Sequence, residues 1–251
     1  MAISMGEYLE KIMREGSRRP DNTQKSVDFY FNHWKVLSKN KDDFEPSRGD
    51  KFYRGDCILS VKTVLGNEGY QKDSPNNWRL MRSIENDGSL TSDDTDKLIQ
   101  KAERYRYLFD TLANFMPMWK LGGNNSTNLN MAKGNWRTYR DFPDLWLRDI
   151  MLWYNGPIGL ERKNMRAYEL FIANKENYFD RFGSWEEYID NNYLGDFVNK
   201  DYEVLELFEG DHCPRSGILE LSQIEDFLDN GIRIIEARAK RLVERIANSF
   251  I

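Results

Sequence analysis

Histidine and cysteine are scarce, with two of each in 251 residues. His33, Cys57, His212 and Cys213 show no C-x-x-C or H-E-x-x-H spacing. A zinc site is therefore not legible, and no metal or other cofactor is expected. The two cysteines lie far apart in sequence, which argues against a disulfide scaffold and for reduced thiols in a cytoplasm. A Ser-His-Asp triad would need one of the two histidines, and no G-x-S-x-G elbow is present. Neither G-x-G-x-x-G nor G-x-x-x-x-G-K-[ST] occurs, so no dinucleotide or phosphate loop is legible. No apolar run approaches the roughly 18 residues a membrane span needs. The opening MAISMGEYLEKIM lacks a basic stretch followed by an apolar one, and reads as part of the fold rather than a secretory signal. A cytoplasmic protein with no membrane segment is expected.

Aromatic residues are plentiful instead: thirteen Tyr, fourteen Phe and seven Trp. They suffice for a substantial core, because each buries a large area. The expected fold is mainly α, a single globular helical domain over 1–251, with a small β element near 26–65; a subdivision near 75–92 is the alternative. The net charge of -5 is unevenly spread. Residues 101–140 hold seven Lys/Arg against two Asp/Glu, and residues 175–230 hold four against fifteen. A bipolar surface and mixed solvated helix faces both fit this pattern.

Helix signals dominate the chain. Ser4 and Glu7 form a capping-box pattern ahead of Tyr8, Leu9, Ile12 and Met13. Residues 26–38 suit a helix through Val27, Phe31, Trp34 and Leu37, or a strand through Val27, Phe29 and Phe31; the balance leans to helix. Residues 39–56 carry Arg-Gly-Asp twice, at Arg48 and Arg54, and read as turns. Residues 57–65 fit a short strand or a buried helical turn. A helix led by Ser92 runs to about Asn114 and stops before Pro117. Residues 120–140 form a long loop by composition, with three Gly and five Asn. Asp141 is expected to cap a buried helix over about 142–154, and further helices fit 161–174 and 185–193, the latter behind a Ser184–Glu187 capping box. The last helix spans about Ser222 to Phe250. Its apolar stripe packs on the core or pairs with a second copy, giving a candidate homodimer through the C-terminal helix.

The candidate ligand site is the loop from 124 to 141. Asn124, Asn125 and Asn128 offer amides, Lys133, Arg137 and Arg140 offer positive charge, and Trp136 and Tyr139 offer faces for stacking. The Asn-x-Ser/Thr matches at Asn124 and Asn125 are chance products of this Asn-rich stretch. Two carboxylates nearby are candidate catalytic bases, Asp144 and Asp149. Asp144 also has a local explanation, in the first turn of its helix with Arg148 four residues on. Asp149 shares a face with Leu145 and Trp153, where a carboxylate needs a partner, commonly an Arg. The segment from Gly210 to Gly217 has the His-Cys start of a phosphatase loop but Leu219 where that chemistry needs Arg. It reads as a turn with an incidental thiol.

Tyr53–Ser60, Asn114–Met118 and Asp141–Leu145 resemble short blocks in uncharacterised bacterial and phage proteins. The resemblance covers about a tenth of the chain and implies no activity, cofactor or catalytic residue, only a microbial cytoplasmic protein.

Two functions compete. One is a binding or regulatory protein working through protein–protein contact, with the acidic 175–230 region facing a basic partner. The other is an enzyme or binder acting on a phosphorylated or nucleotide-like, anionic small molecule at the 124–141 loop. Nucleic-acid binding is disfavoured by a pI of about 5.3.

Overall fold

The structure is a computed structural model that describes residues 23–44, 51–60, 64–65, 78–121, 141–212 and 218–248. Among these residues it is mainly helical, with one two-stranded sheet. Helix α1 covers Gln24–His33, and its N-cap Thr23 accepts the Ser26 N–H. The helical reading of the 26–38 stretch holds as far as His33. Trp34 then leaves helical geometry and is buried, its Nε1–H donating to Asn192 Oδ1 at 3.0 Å.

Strand β1, Lys51–Cys57, pairs antiparallel with β2, Phe115–Leu121. The small β element thus lies partly where expected, but its second strand falls where a helix end and a loop were expected. Residues 51–56, expected as turns, are strand. Pro117 sits inside β2 opposite Gly55. A two-stranded sheet consists of edges alone, so a residue without an N–H is tolerated there. Gly55 is required by packing, since a Cβ there would fall 2.6 Å from Tyr30 Cε2. The second Arg-Gly-Asp is therefore a strand segment packed under α1.

Helices α2, Trp78–Asp87, and α3, Ser92–Phe109, follow. Gly88 at φ +62° leaves α2, and Thr91, not Ser92, caps α3 by accepting the Asp94 N–H. The α3 helix stops at Phe109, five residues short of the expected end, because Asn114 is used elsewhere. Its side chain accepts from Leu59 N at 3.0 Å and donates to Leu59 O at 2.9 Å, continuing the sheet ladder past β1.

Helix α4 is Pro143–Asn155, α5 Pro157–Lys163, α6 Met165–Ala173 and α7 Trp185–Asn191. The single helix expected over 161–174 is broken at Asn164, which caps α6 by accepting the Ala167 N–H. Ser184 caps α7 by accepting the Glu187 N–H, as its capping box suggests. Helix α8, Leu221–Asn248, is the longest. It buries Ile224, Leu228, Ile235, Ala239 and Leu242 of its stripe against α2, α3 and the turn before β2. Gly231 lies under the Tyr105 ring, where a Cβ would come within 2.8 Å of Cε2.

Arg238 on α8 is 1% exposed and has no carboxylate beside it in its hydrogen bonding. Its Nε donates to Tyr193 O at 3.0 Å, Nη2 to Asn192 O at 3.1 Å, and Nη1 to Ala113 O. These carbonyls come from the end of α7 and the turn before β2, so one guanidinium ties three parts of the fold. Tyr193 sits at φ +57°, a backbone state that an ordinary side chain adopts only when its surroundings hold it there. No helix among the described residues is long and apolar enough to cross a membrane.

Candidate functional site

A buried polar site among the described residues is built on the first turn of α4. Phe142 is the N-cap and gives no side-chain cap, and Pro143 supplies the first helical residue, whose missing N–H costs nothing there. Asp141 therefore does not cap this helix, contrary to expectation. Asp144 follows as the second helical residue and is completely buried. Its Oδ2 accepts the Leu207 N–H at 3.3 Å and lies 2.7 Å from His212 Nε2. Arg148, expected as its partner, instead pairs with Glu206 at 2.9 Å. Position 144 is fixed by α4, while 207–212 is an irregular strap that crosses it.

His212 is 9% exposed. Its ring stacks on Phe208 at 4.1 Å between centroids and meets the edge of Phe142 at 5.1 Å. Its second nitrogen, Nδ1, lies 3.2 Å from Gly210 O. Both nitrogens thus face oxygen acceptors. A neutral imidazole has one N–H and would leave one acceptor against a lone pair; the imidazolium donates to both. Burial alone would lower the His212 pKa. The hydrogen bond and charge of Asp144, the Gly210 carbonyl and the charge of Glu206 outweigh burial and raise it above 6.5. His212 is therefore held by contacts on both sides of its ring. With both of its nitrogens engaged, His212 clamps the strap to α4 and has no lone pair left for a substrate proton, while Asp144 Oδ1 is buried without a hydrogen-bond partner.

Asp144 and Asp149 have different hydrogen-bond partners. Asp149 is half-buried, and its Oδ2 accepts from Asn164 Nδ2 at 2.8 Å. That amide also caps α6. Asn124, Asn125, Asn128, Lys133, Trp136, Arg137, Tyr139 and Arg140 lie outside the described residues, as does Cys213. No group of three or more His, Cys, Asp or Glu able to hold a metal occurs among the described residues.

The acidic half of the chain has a definite geometry. Trp185 is buried at the start of α7 and donates Nε1–H to Tyr202 O at 2.8 Å, pulling the 199–203 loop onto the helix. Asn199 Oδ1 closes that loop by accepting from Asp201 N and Glu203 N, and Tyr202 takes φ +59°. Glu186, Glu187 and Asp190 of α7 and Asp201 and Glu203 of the loop are all exposed. The Tyr202 hydroxyl donates to Asp190 at 3.2 Å, and the Asp190 charge raises the phenol's pKa, with burial and Glu186 adding to it. Described cations of the basic segment are spent on α8: Lys101 pairs with Asp229 and Arg104 with Glu236.

The clamp was missed by sequence reasoning because its partners are 68 residues apart and Asp144 has an ordinary local role as a first-turn carboxylate. The one available signal was that His212 is one of only two histidines.

Residues 16–242 match the model of DUF6994, a family of unknown function, and the chain belongs to that family. No curated protein and no solved structure matches it.

Proposed function

We propose that the chain works as a binding protein that engages a Lys/Arg-rich protein surface through the carboxylates of α7 and the 199–203 loop. The observation that carries this reading is that Glu186, Glu187, Asp190, Asp201 and Glu203 are exposed side by side and none is in an ion pair among the described residues. Their partners are neutral: Tyr202 for Asp190 and Asn199 for Glu203. Like charges held together on a packed scaffold repel, and a cationic partner relieves that repulsion while being steered toward it. The engagement of both His212 nitrogens by protein groups supports binding over catalysis at that ring.

The test is affinity capture with the wild-type chain and with Glu186→Lys/Glu187→Lys/Asp201→Lys, three exposed positions, with thermal melting to check that the variant is folded. The wild type should retain a stoichiometric basic protein at about 50 mM salt and release it near 500 mM, as screening requires. The triple variant should retain none. Identical protein profiles from the two baits would refute the reading.

A further inference from the structure

No residue from Leu207 to His212 makes a backbone–backbone hydrogen bond with another described residue. Side chains hold this strap instead. From α8, Asn230 Nδ2 donates to Leu207 O at 2.7 Å and Gln223 Nε2 to Glu209 O at 3.0 Å. From α4, Asp144 Oδ2 faces both the Leu207 N–H and His212 Nε2. The Phe208 and His212 rings pack on Phe142, with centroids 5.4 and 5.1 Å away. No helix or sheet ladder runs through the strap, so it can leave the surface without breaking one. Local openings of that kind cost less than global unfolding.

We propose that the strap is a proton latch: while His212 carries both ring protons it stays docked on α4, and loss of one lets Leu207–His212 lift away as a unit, uncovering Phe142 and Phe227. A neutral ring has one N–H. If that N–H is on Nε2, the Nδ1 lone pair faces Gly210 O at 3.2 Å; if it is on Nδ1, the Nε2 lone pair faces the Asp144 carboxylate at 2.7 Å. Either way Asp144, completely buried, loses the charge that balances it. Arg148, one turn along α4, is paired with Glu206. A buried charge without a partner is costly, and lifting the strap lets water reach it. The other charges near the ring are Glu206, which favours the proton, and the exposed Glu209 and Asp211 of the strap itself. Among the described contacts, α8 meets the strap through uncharged Gln223, Phe227 and Asn230. The raised His212 pKa has the sign a latch needs. The docked ring binds its proton more tightly than a free one does. The latch is therefore closed below 6.5 and opens as pH climbs through the docked value. It does not rest on the acidic-face reading, since none of these contacts comes from α7 or the 199–203 loop.

Amide hydrogen exchange of the full chain at about pH 6 and about pH 9, corrected for the intrinsic rate, tests this. At the lower pH the Leu207 N–H should already exchange faster than that of Ile235, buried in the middle of α8, because the strap opens without the helices. Its protection should fall about tenfold or more at the higher pH, since a proton bound about ten times more tightly in the docked state shifts the opening equilibrium tenfold when it leaves. His212→Gln keeps a donor for Asp144 but has no proton to lose. Its Leu207 protection should be low and the same at both pH values. Wild-type protection that is equal at the two pH values, a fall that persists in His212→Gln, or a Leu207 N–H that exchanges only as slowly as Ile235 would each overturn the proposal. The first and third outcomes are read on the wild type and hold whether or not the variant folds.

Discussion

Asp144→Asn should destabilise the protein most in acid and least in alkali. The substitution keeps the volume of the side chain and an acceptor for the Leu207 N–H, and removes only the negative charge. In the wild type that charge sits 2.7 Å from a His212 nitrogen in a site from which water is almost excluded. Removing one partner of a buried charged pair costs about 3–5 kcal/mol. The lower figure applies here, because the imidazole can shed its proton. A loss of about 3 kcal/mol lowers the melting temperature of a chain this size by roughly 6–12 °C. The sign with pH follows from the raised His212 pKa. A group whose pKa is higher folded than unfolded contributes its full stability below the unfolded value of 6.5. It loses that contribution as pH climbs through the folded value. The gap between wild type and variant should therefore be widest near pH 6. Near pH 9 it should shrink toward about 1 kcal/mol, the worth of a neutral hydrogen bond. Urea titrations at the two pH values, followed by tryptophan fluorescence and circular dichroism, measure the gap directly. A gap that is equal at both, or wider in alkali, would refute the doubly donating imidazolium.

Arg238→Met should cost about 3 kcal/mol, because it fills the space but strips donors from the carbonyls of Ala113, Asn192 and Tyr193. Arg238→Lys should recover only part of that loss in a urea melt, since one ammonium cannot present the planar fork that spans three carbonyls. His33 has the opposite pH behaviour to His212. Burial first, then the charges of Lys35 and Arg245, lower its pKa to about 4. Its contribution is present above 6.5 and is lost as pH falls toward the folded value. His33→Gln should flatten the acid limb of the stability curve by about 1–2 kcal/mol, allowing for its partial exposure; an unchanged acid limb would count against the buried neutral ring.

The sequence by itself determined most of the helices and several of their ends. The stripe of α8, the aromatic run of α4 and the Ser184 box are local patterns, and a helix registers local pattern because its bonds span only four residues. The α1 helix was legible for the same reason, though its short apolar run also suited a strand. What failed was whatever needed a distant partner. Strand β2 shows no alternation strong enough to outweigh Pro117, and it exists because β1 lies 58 residues away at the Cys57–Phe115 end of the ladder and 70 at the Lys51–Leu121 end. Asn114 looked like a helix end until Leu59 claimed both sides of its amide. Arg238 lies on an otherwise charged-and-apolar helix, where nothing in its spacing marks it as the buried cation. Asp144 carried a complete local explanation, and only the return of the chain at Leu207 and His212 gave it another. Buried polar groups are selected by the partners that satisfy them, and those partners are brought together by the tertiary fold, not by neighbours in the chain.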